Sequence, residues 1–491
     1  MRERLKSDLS EKVVEYLFDP TISAEKDRSF ENMMDVNKAH LTMLECEGIV
    51  DTKTSNTIME ALDEILKKGK SNLKINPKLE DLYFIIEEEL ISKVGVEIGG
   101  QLHTGRSRND LYATLTRMNC RESILKISGL VLEVRHVLLK IAKDHSHTII
   151  SGYTHMQPAE PITLGHYFSA ILHGLERDFL RLCQALQGMN SSPLGAGAMA
   201  GTTFPINRET TAEMLGFSTV MGNSLDGIAS RDYILESLSA MNILMNTINR
   251  FTHDLYIWST DEYGIVEVGD SVAASSSIMP QKKNPITLEH IKAKSSHVLG
   301  AIVSATGCMS NISYGHSRDL AESTTYFWEA IKEVESTLEL LIDTVQTLLF
   351  KEEKMLNRAE SNFSTVTELA NTVVREENIS FREAHQIVGR LVSEMLERNV
   401  TVSDLDSTLI EEAAYHVIGK KITISDENIE NALNPISNVS AKVVVGGPAP
   451  SEVINQFEKL SVKLDKDKSF HAQQKSAFER SKQGLAGTLV N

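Results

Sequence analysis

Three stretches of this 491-residue chain carry apolar residues at alternating spacings of three and four positions. That spacing is typical of long helices that bury one face against other helices. Because each stretch is long enough for several helical turns, the pattern predicts a bundle of long helices. A bundle of this kind can bury further stripes between subunits, which favours a homo-oligomer. The stripes are Ile127, Leu130, Val134, Val137 and Ile141; Ile234, Leu238, Met241, Met245 and Ile248; and Ile331, Val334, Leu338, Leu341, Val345 and Leu348.

The composition agrees with a mainly α-helical protein of more than one domain. Hydrophobic residues make up 41% of the chain and charged residues 24%, which is enough for a large buried core and argues against disorder. Only 11 prolines and 28 glycines occur, so long stretches contain no helix breaker. We predict a mixed helical domain over residues 1–105, a central long-helix bundle over residues 106–356 and a helical domain over residues 357–491.

Charge and cysteine content exclude several classes of function. The net charge of −17 argues against a nucleic-acid partner, since phosphate binding needs clustered Lys and Arg. The four cysteines lie far apart, which predicts neither a zinc site nor a disulfide framework. The first residues lack an apolar signal segment, and no uncharged apolar run of about 18 residues occurs. We therefore expect a cytoplasmic enzyme without a membrane span.

Residues 274–285, Ala-Ser-Ser-Ser-Ile-Met-Pro-Gln-Lys-Lys-Asn-Pro, are too rich in small and polar residues to be core. The serines offer hydroxyls and backbone N–H groups, and Lys282 offers a positive charge. Asn284 is a favoured N-cap and Pro285 suits the first helical position, so a helix is predicted from Ile286 onward. Its positive end would face the loop and favour an anion. The alternative is an ordinary serine-rich surface loop before a helix.

Two further segments carry side chains suited to a carboxylate substrate. Residues 103–110, His-Thr-Gly-Arg-Ser-Arg-Asn-Asp, hold two guanidinium groups, at Arg106 and Arg108, that can bind carboxylates as forks. On its own such a turn is also typical of surface salt bridges. Residues 151–166 contain two prolines and two glycines, which break the helical pattern around His155. A lone histidine is usually structural, so the surrounding residues must decide its role.

All three segments resemble those of the fumarase/aspartase superfamily. The Gln-Lys-Lys-Asn version of the serine loop and the whole of residues 103–110 are most similar to its argininosuccinate lyase branch. Residues 380–388 and 444–450 resemble the C-terminal domain of that branch, so the resemblance spans nearly the whole chain. It implies a three-domain fumarase/aspartase-like fold and a homotetramer with sites shared between subunits. It also implies elimination of fumarate from a small-molecule substrate without a metal or organic cofactor.

The resemblance also assigns residues to the site. It implies that Ser276, the first serine of the family's pair, is the catalytic base and that Ser277 is the second serine. It implies that His155, with its carboxylate partner Glu289, delivers a proton or holds the substrate carboxylate and a water. Arg106 is expected to be scaffold. The implied substrate contacts are Ser23, Asp27, Ser107, Arg108, Asn109, Thr154, Lys282, Asn284 and Tyr314.

The chain departs from the family pattern at several positions. Ser275 stands where the loop of the family has Gly, which predicts a less mobile loop. Tyr83 stands where the family has His, and a phenol does not take up a proton near neutral pH. Residues 314–322 carry an extra residue, and Ala321 and Thr324 replace a Gln and a Lys that contact the amino-acid end of the substrate in the family. The leaving-group half of the site is therefore predicted to be altered.

Three hypotheses follow for the function. The first is an argininosuccinate lyase-like enzyme that splits N-(L-arginino)succinate into fumarate and L-arginine, the last step of arginine biosynthesis. The second is a sister C–N lyase with a different amine leaving group; adenylosuccinate lyase is disfavoured because residues 106–110 and 381–388 resemble the arginine branch. The third is a non-catalytic helical scaffold related to lens crystallins, against which the presence of Ser276, His155 and Lys282 argues.

Overall fold

The computed structural model describes residues 6–487, and most of them are helical. The N-terminal helices are α1 Glu11–Val13, α2 Asp19–Cys46, α3 Thr52–Lys68, α4 Leu82–Val94 and α5 Val96–Gly99. The middle of the chain forms α6 Arg108–Asp144, α7 Leu164–Gly188, α8 Arg208–Met214, α9 Ser224–Ala229, α10 Asp232–Trp258, α11 Ile286–Met309 and α12 Arg318–Gln346. The remaining helices are α13 Glu352–Glu360, α14 Val366–Glu377, α15 Phe381–Arg398, α16 Ser407–Ile418, α17 Asp426–Leu433, α18 Pro435–Ser440 and α19 Pro450–Gly487. The prediction of a mainly α fold is confirmed.

Helices α6, α7, α10, α11 and α12 pack side by side around one apolar core. The three predicted stripes lie on α6, α10 and α12, except that Leu348 follows the end of α12, and their residues are buried or partly buried in that core. Helix α6 alone spans 37 residues, which at 1.5 Å per residue makes it about 55 Å long. The predicted central bundle of long helices is therefore confirmed.

The chain ends on the same bundle. Helix α19 contributes Val453, Phe457 and Leu460 to the bundle core, and the Arg135 guanidinium of α6 donates to Asp467 of α19 over 2.8 Å. Helices α14 to α17 enclose a separate core. The packing thus divides residues 357–491 between two cores, and the domain boundaries from the sequence stay a prediction.

Strands occur within residues 6–487 as four short pairs that lie between the helices. The antiparallel pairs are β1 Ile149–Thr154 with β2 Gln157–Thr163, β5 Val266–Glu267 with β8 Leu349–Phe350, and β6 Ala274–Ser275 with β7 Lys283–Asn284. The parallel pair is β3 Ser191–Ser192 with β4 Thr219–Val220. Two of the antiparallel pairs hold segments that the sequence assigned to the site.

Within residues 6–487, no helix combines the length and the apolar character that crossing a membrane requires. The four cysteines are all free thiols.

Candidate active site

The start of α6 is tied down by its own capping residues. The Ser107 hydroxyl accepts from the backbone N–H of Asn109, and the Asp110 carboxylate accepts from the backbone N–H of Ser107, which together form a capping box. The second oxygen of Asp110 accepts from the backbone N–H groups of Gly195 and Gly197, each over 2.9 Å. The small-residue loop near Gly197 therefore serves as scaffold that holds the first turn of α6.

Arg106 and Tyr83 lie in the interior beside this turn. Arg106 donates to the side-chain oxygen of Asn37 over 2.6 Å and is buried, which is a scaffold role. Tyr83 is 2% exposed and donates to Glu87 over 2.6 Å. Burial raises the pKa of the Tyr83 phenol well above its usual value, so the phenol stays protonated. The position at which the family has His is thus part of the packed interior here.

Arg108 faces outward from the same turn, into a cavity. Its guanidinium donates to Asp81 over 2.6 Å and lies 4.2 Å above the Phe84 ring. Burial raises the pKa of Asp81, and the neighbouring Arg108 opposes that rise. The Arg108 side chain remains 38% exposed. The Arg108 guanidinium therefore has a fixed orientation, and part of it remains accessible to a ligand.

The cavity beside Arg108 has a volume of about 410 Å³ and is built from five separate parts of the chain. Of the predicted contacts it contains Arg108 and Asn109, and Asn109 also donates to the backbone oxygen of Ala198 over 3.1 Å. The departures Ala321 and Thr324 line it as well. The charged and aromatic lining residues that sequence reasoning did not select are Phe18, Glu25, Arg28, Glu80, Asp81, Tyr112, Arg231, His316, Arg318 and Trp328.

Ser23 and Asp27 do not line this cavity. Both lie exposed on α2, and the backbone oxygen of Asp27 accepts from the Lys70 ammonium over 2.7 Å. At about 100° per residue, positions 23 and 27 fall on the side of the helix away from Glu25 and Arg28. Within one chain the opposite face of the helix meets the cavity, and the roles of Ser23 and Asp27 stay predictions. In the sequence, the three-residue spacing of Glu25 and Arg28 was the signal that could have pointed to this face of the helix.

His155 lies at the tip of the β1–β2 hairpin. The turn consists of His155 and Met156, between the paired residues Thr154 and Gln157. Both central residues have positive φ, 55° and 60°. Tight two-residue hairpin turns of this type need positive φ at both central positions, which residues other than Gly rarely adopt. Strained backbone of this kind is concentrated at functional sites. His155 and Thr154 are exposed, and the hairpin borders a cavity of about 790 Å³.

The serine loop is closed at its base by β6 and β7, in which Ala274 pairs with Asn284 and Ser275 with Lys283. Ser275 has ordinary extended backbone there, so no glycine is needed at this position. The Ser276 hydroxyl oxygen accepts from the backbone N–H groups of Met279, over 3.1 Å, and Ile278, over 3.4 Å. Two backbone dipoles thus point at the predicted base.

The two lysines of the loop differ in their surroundings. Lys283 forms ion pairs with Asp270 over 2.6 Å and Glu267 over 3.1 Å. Lys282 is exposed, and within residues 6–487 its ammonium has no ion-pair partner. Lys282 is therefore the lysine of this loop whose charge is free for a ligand.

The helix after the loop begins as predicted at Ile286, but its predicted cap is wrong. Pro285 occupies the N-cap position and no side chain caps the helix. The Asn284 backbone is held in β7 against Ala274, which places it one position too early to cap. Glu289 lies exposed in the first turn of α11. Since no side chain caps this helix, its first N–H groups keep their capacity for an anion.

Tyr314 lies on the surface before α12, and its hydroxyl donates to Asp226 of α9. That hydrogen bond raises the pKa of the phenol. Tyr314 is 67% exposed.

Within one chain, the three site segments do not line a common cavity. The cavity that contains Arg108 and the cavity that contains His155 share no lining residue, and the serine loop lines neither. Within the described part of the chain, no hydrogen bond or ion pair joins His155 to Glu289. The predicted His155–Glu289 pair and the shared site therefore stay predictions for an assembly. Among residues 6–487, no group of three or more His, Cys, Asp or Glu side chains is arranged to hold a metal ion.

Comparison with known proteins defines the class of this chain. The family model described as Lyase matches residues 8–300, and the model described as Argininosuccinate lyase C-terminal matches residues 363–440. Together with the helical bundle and the serine loop, these matches make the chain a carbon–nitrogen lyase of the fumarase/aspartase superfamily.

Individual relatives narrow this class. Argininosuccinate lyase 1 of Shouchella clausii is 47% identical over 481 residues, which cover 98% of this chain and 97% of that protein. Argininosuccinate lyase of Methanocaldococcus jannaschii is 38% identical, with 95% of this chain and 94% of that protein covered. The chain belongs to the argininosuccinate lyase family.

A solved structure agrees over the full length. The crystal structure of EDDS lyase in complex with formate superimposes with a TM-score of 0.88 at 31% identity, covering 98% of this chain and 95% of that one. The same architecture is therefore found in a lyase with a different name from that of the curated relatives.

Proposed function

We propose that this lyase eliminates fumarate from N-(L-arginino)succinate and releases L-arginine, the last step of arginine biosynthesis. Support comes from the full-length similarity to argininosuccinate lyase 1, at 47% identity. The structural observation that carries the chemistry is the pair of backbone N–H groups directed at the Ser276 hydroxyl. No metal or organic cofactor is needed for this elimination.

The reaction begins with removal of a proton from the succinyl carbon next to a carboxylate. A serine hydroxyl is a weak base unless its alkoxide is stabilised, and the N–H groups of Ile278 and Met279 supply such stabilisation in a fixed orientation. Proton removal produces an aci-carboxylate dianion, which needs positive charge nearby. The unpaired ammonium of Lys282 and the uncapped start of α11 provide it.

Collapse of the dianion breaks the C–N bond, and the leaving nitrogen takes up a proton. His155, with Glu289 as its partner in the assembly, is the proposed donor or the group that holds the carboxylate and a water. General acid catalysis of this kind contributes roughly 10²–10⁴-fold to the rate. Arg108, held by Asp81, would bind a carboxylate of the substrate as a fork, with Asn109 and Ser107 beside it.

This chemistry needs the three segments in one place, which a single chain does not achieve. We therefore propose a homotetramer in which each site takes the Arg108, His155 and Ser276 segments from three different subunits. The separation of the Arg108 and His155 cavities supports that assembly. A cytoplasmic location is part of the same proposal, and the four free cysteines agree with a reducing compartment.

The proposal is tested by incubating the purified protein with argininosuccinate and, separately, with adenylosuccinate. Fumarate, followed by its ultraviolet absorbance, should form from argininosuccinate and not from adenylosuccinate. Absence of fumarate from argininosuccinate under conditions in which another N-substituted aspartate is cleaved would refute it.

The second candidate is a sister C–N lyase with a different amine leaving group. It is favoured by Ala321 and Thr324, which place small uncharged side chains in the cavity beside Arg108. The likeness to EDDS lyase, at 31% identity, points the same way. Including EDDS in the same substrate panel separates the two candidates, because the product amine identifies the leaving group.

A further inference from the structure

Two oppositely charged side chains stand together on one face of α2. Glu25 and Arg28 are three positions apart, a spacing that puts them side by side on a helix. Both line the cavity that contains Arg108 and an adjoining cavity of about 510 Å³. The residues shared by the two cavities are Thr21, Glu25, Arg28, Arg318, Ala321, Thr324 and Trp328. The pair therefore lies where the two cavities meet.

Glu25 has one carboxylate oxygen engaged and one free. Its Oε2 accepts from the backbone N–H of Leu82 over 3.2 Å and from the Tyr112 hydroxyl over 3.0 Å. Within residues 6–487, Oε1 takes part in no hydrogen bond or ion pair. Since Oε1 is also not sealed from solvent, it is open to the cavities that Glu25 lines. The residue is fixed by one oxygen and offers the other as an acceptor.

Arg28 is held in place by an aromatic ring and has no acidic partner. Its guanidinium carbon lies 4.1 Å from the centre of the Trp328 ring. No hydrogen bond or ion pair to Arg28, including one from Glu25, occurs in the described part of the chain. A guanidinium held against a ring can still present its N–H groups to a carboxylate.

The third charged group shared by the two cavities is already occupied. Arg318 donates to Glu322 over 3.0 Å and to the Thr21 hydroxyl over 3.0 Å. Ala321 and Thr324 follow Arg318 on α12 and line the same two cavities; both are small and carry no charge, which leaves room there. Among the charged residues shared by the two cavities, Glu25 and Arg28 are thus the ones that keep free hydrogen-bonding capacity.

We propose that Glu25 and Arg28 clamp the α-amino-acid end of the leaving amine. Glu25 Oε1 accepts from the α-ammonium group, and Arg28 donates to the α-carboxylate. The ammonium and carboxylate of an amino acid are adjacent, so they require opposite charges that are close together but not paired with each other. The clamp rests on the proposed function, because it places the released amine in the cavity that Arg108, the proposed ligand of the fumarate half, also lines.

The test compares L-arginine with agmatine, which keeps the amine but lacks the α-carboxylate. Calorimetric titration of the full-length protein should show tighter binding of arginine than of agmatine. Arg28→Met should weaken arginine binding about tenfold or more and leave agmatine unchanged, whereas Glu25→Gln should weaken both by about that factor. Arg28→Lys, which keeps the charge but not the fork, should fall between Arg28→Met and the unchanged protein.

Controls separate the clamp from a structural effect. Glu31→Gln makes the same change at an exposed position of α2 outside both cavities and should bind arginine normally. Fumarate binding should be unchanged in all variants, since misfolding of the site would weaken fumarate and arginine alike. Equal affinity of arginine for the unchanged protein and both clamp variants overturns the clamp.

Cleavage of argininosuccinate, measured in parallel, distinguishes the two proposals. Cleavage with no effect of either clamp substitution on arginine binding refutes the clamp and leaves the proposed function intact. If arginine and agmatine bind as the clamp predicts but argininosuccinate is not cleaved, the proposed function alone is refuted. Neither cleavage nor discrimination between arginine and agmatine refutes both.

Discussion

The backbone N–H of Met279 donates to the Ser276 hydroxyl oxygen over 3.1 Å, within a loop whose two ends are joined by the β6–β7 pair. The loop therefore supplies both the predicted base and a donor that stabilises its deprotonated form. Donor and acceptor are only three positions apart in the chain, so this arrangement is present without any partner subunit.

Ser276→Ala should lower kcat by roughly 10²–10⁴-fold with little change in substrate affinity, because a base acts in the chemical step. Steady-state kinetics with argininosuccinate, together with binding of substrate to the variant, measure both quantities. Ser277→Ala is the matched control, since Ser277 accepts neither of the two loop N–H bonds. An inactive Ser277→Ala protein beside an active Ser276→Ala protein would assign the base to the other serine.

Sites shared between subunits predict complementation. His155→Asn and Lys282→Ala proteins should each be inactive, and co-refolding the two should restore part of the activity. Some mixed tetramers would then contain sites that draw an intact His155 and an intact Lys282 from different parents. The mixture is compared with each variant refolded alone. Mixed tetramers that form and stay as inactive as both parents would mean that the two segments meet within one chain.

The stability of the fold should depend on pH through Glu25. Burial, and after it the negative charge of Asp81, raise the pKa of Glu25 from 4.5 to about 7, while Arg318 and the hydrogen bonds from Leu82 and Tyr112 oppose the rise. The folded protein therefore holds this proton up to higher pH than the unfolded chain. The free energy of unfolding should fall as pH rises from 4.5 to 7 and level off above, by about 3 kcal/mol in total.

Glu25→Gln, which carries no titrating proton, should lose that part of the pH dependence and gain stability relative to the unchanged protein at pH values above the pKa of about 7. Denaturant unfolding at fixed protein concentration, on both sides of the transition, measures the difference. Glu31→Gln should keep the pH dependence of the unchanged protein. The same pH profile in the Glu25→Gln and unchanged proteins would place the titration elsewhere.

Asp467→Ala should destabilise the protein strongly. The Arg135–Asp467 pair leaves only 2% and 7% of the two side chains exposed, and removing one partner leaves a buried charge. The expected loss is about 3–5 kcal/mol in the free energy of unfolding. Arg135→Met combined with Asp467→Leu should recover much of it, because no buried charge remains unpaired.

The surface pair Lys475–Glu479 provides the comparison, since its side chains are 62% and 57% exposed. Glu479→Ala should change the free energy of unfolding by less than about 1 kcal/mol. A loss at Asp467 no larger than that at Glu479 would show that the bundle does not depend on the buried pair.

The sequence by itself determined the features that are local or periodic. The stripes of α6, α10 and α12 were readable because burial repeats with the helical period, and the start of α11 at Ile286 because proline ends the loop before it. The serine loop and the segment at Arg108 are motifs with many specific residues, and they identified the family. These properties depend on neighbours in sequence, and no knowledge of distant contacts was needed to find them.

Only the tertiary structure decided which side of each element faces the site. Asn284 fails to cap α11 because its backbone pairs with Ala274, ten positions away. Ser23 and Asp27 turn away from the cavity, and Glu25 and Arg28 turn toward it, because packing of α2 against α3, α4 and α6 sets the rotation of the helix. The return of α19 onto α6 through Arg135 and Asp467 is likewise a contact between residues hundreds of positions apart. Periodicity defines a helix and its faces, whereas the choice of face that meets the cavity depends on the combined packing of all its neighbours.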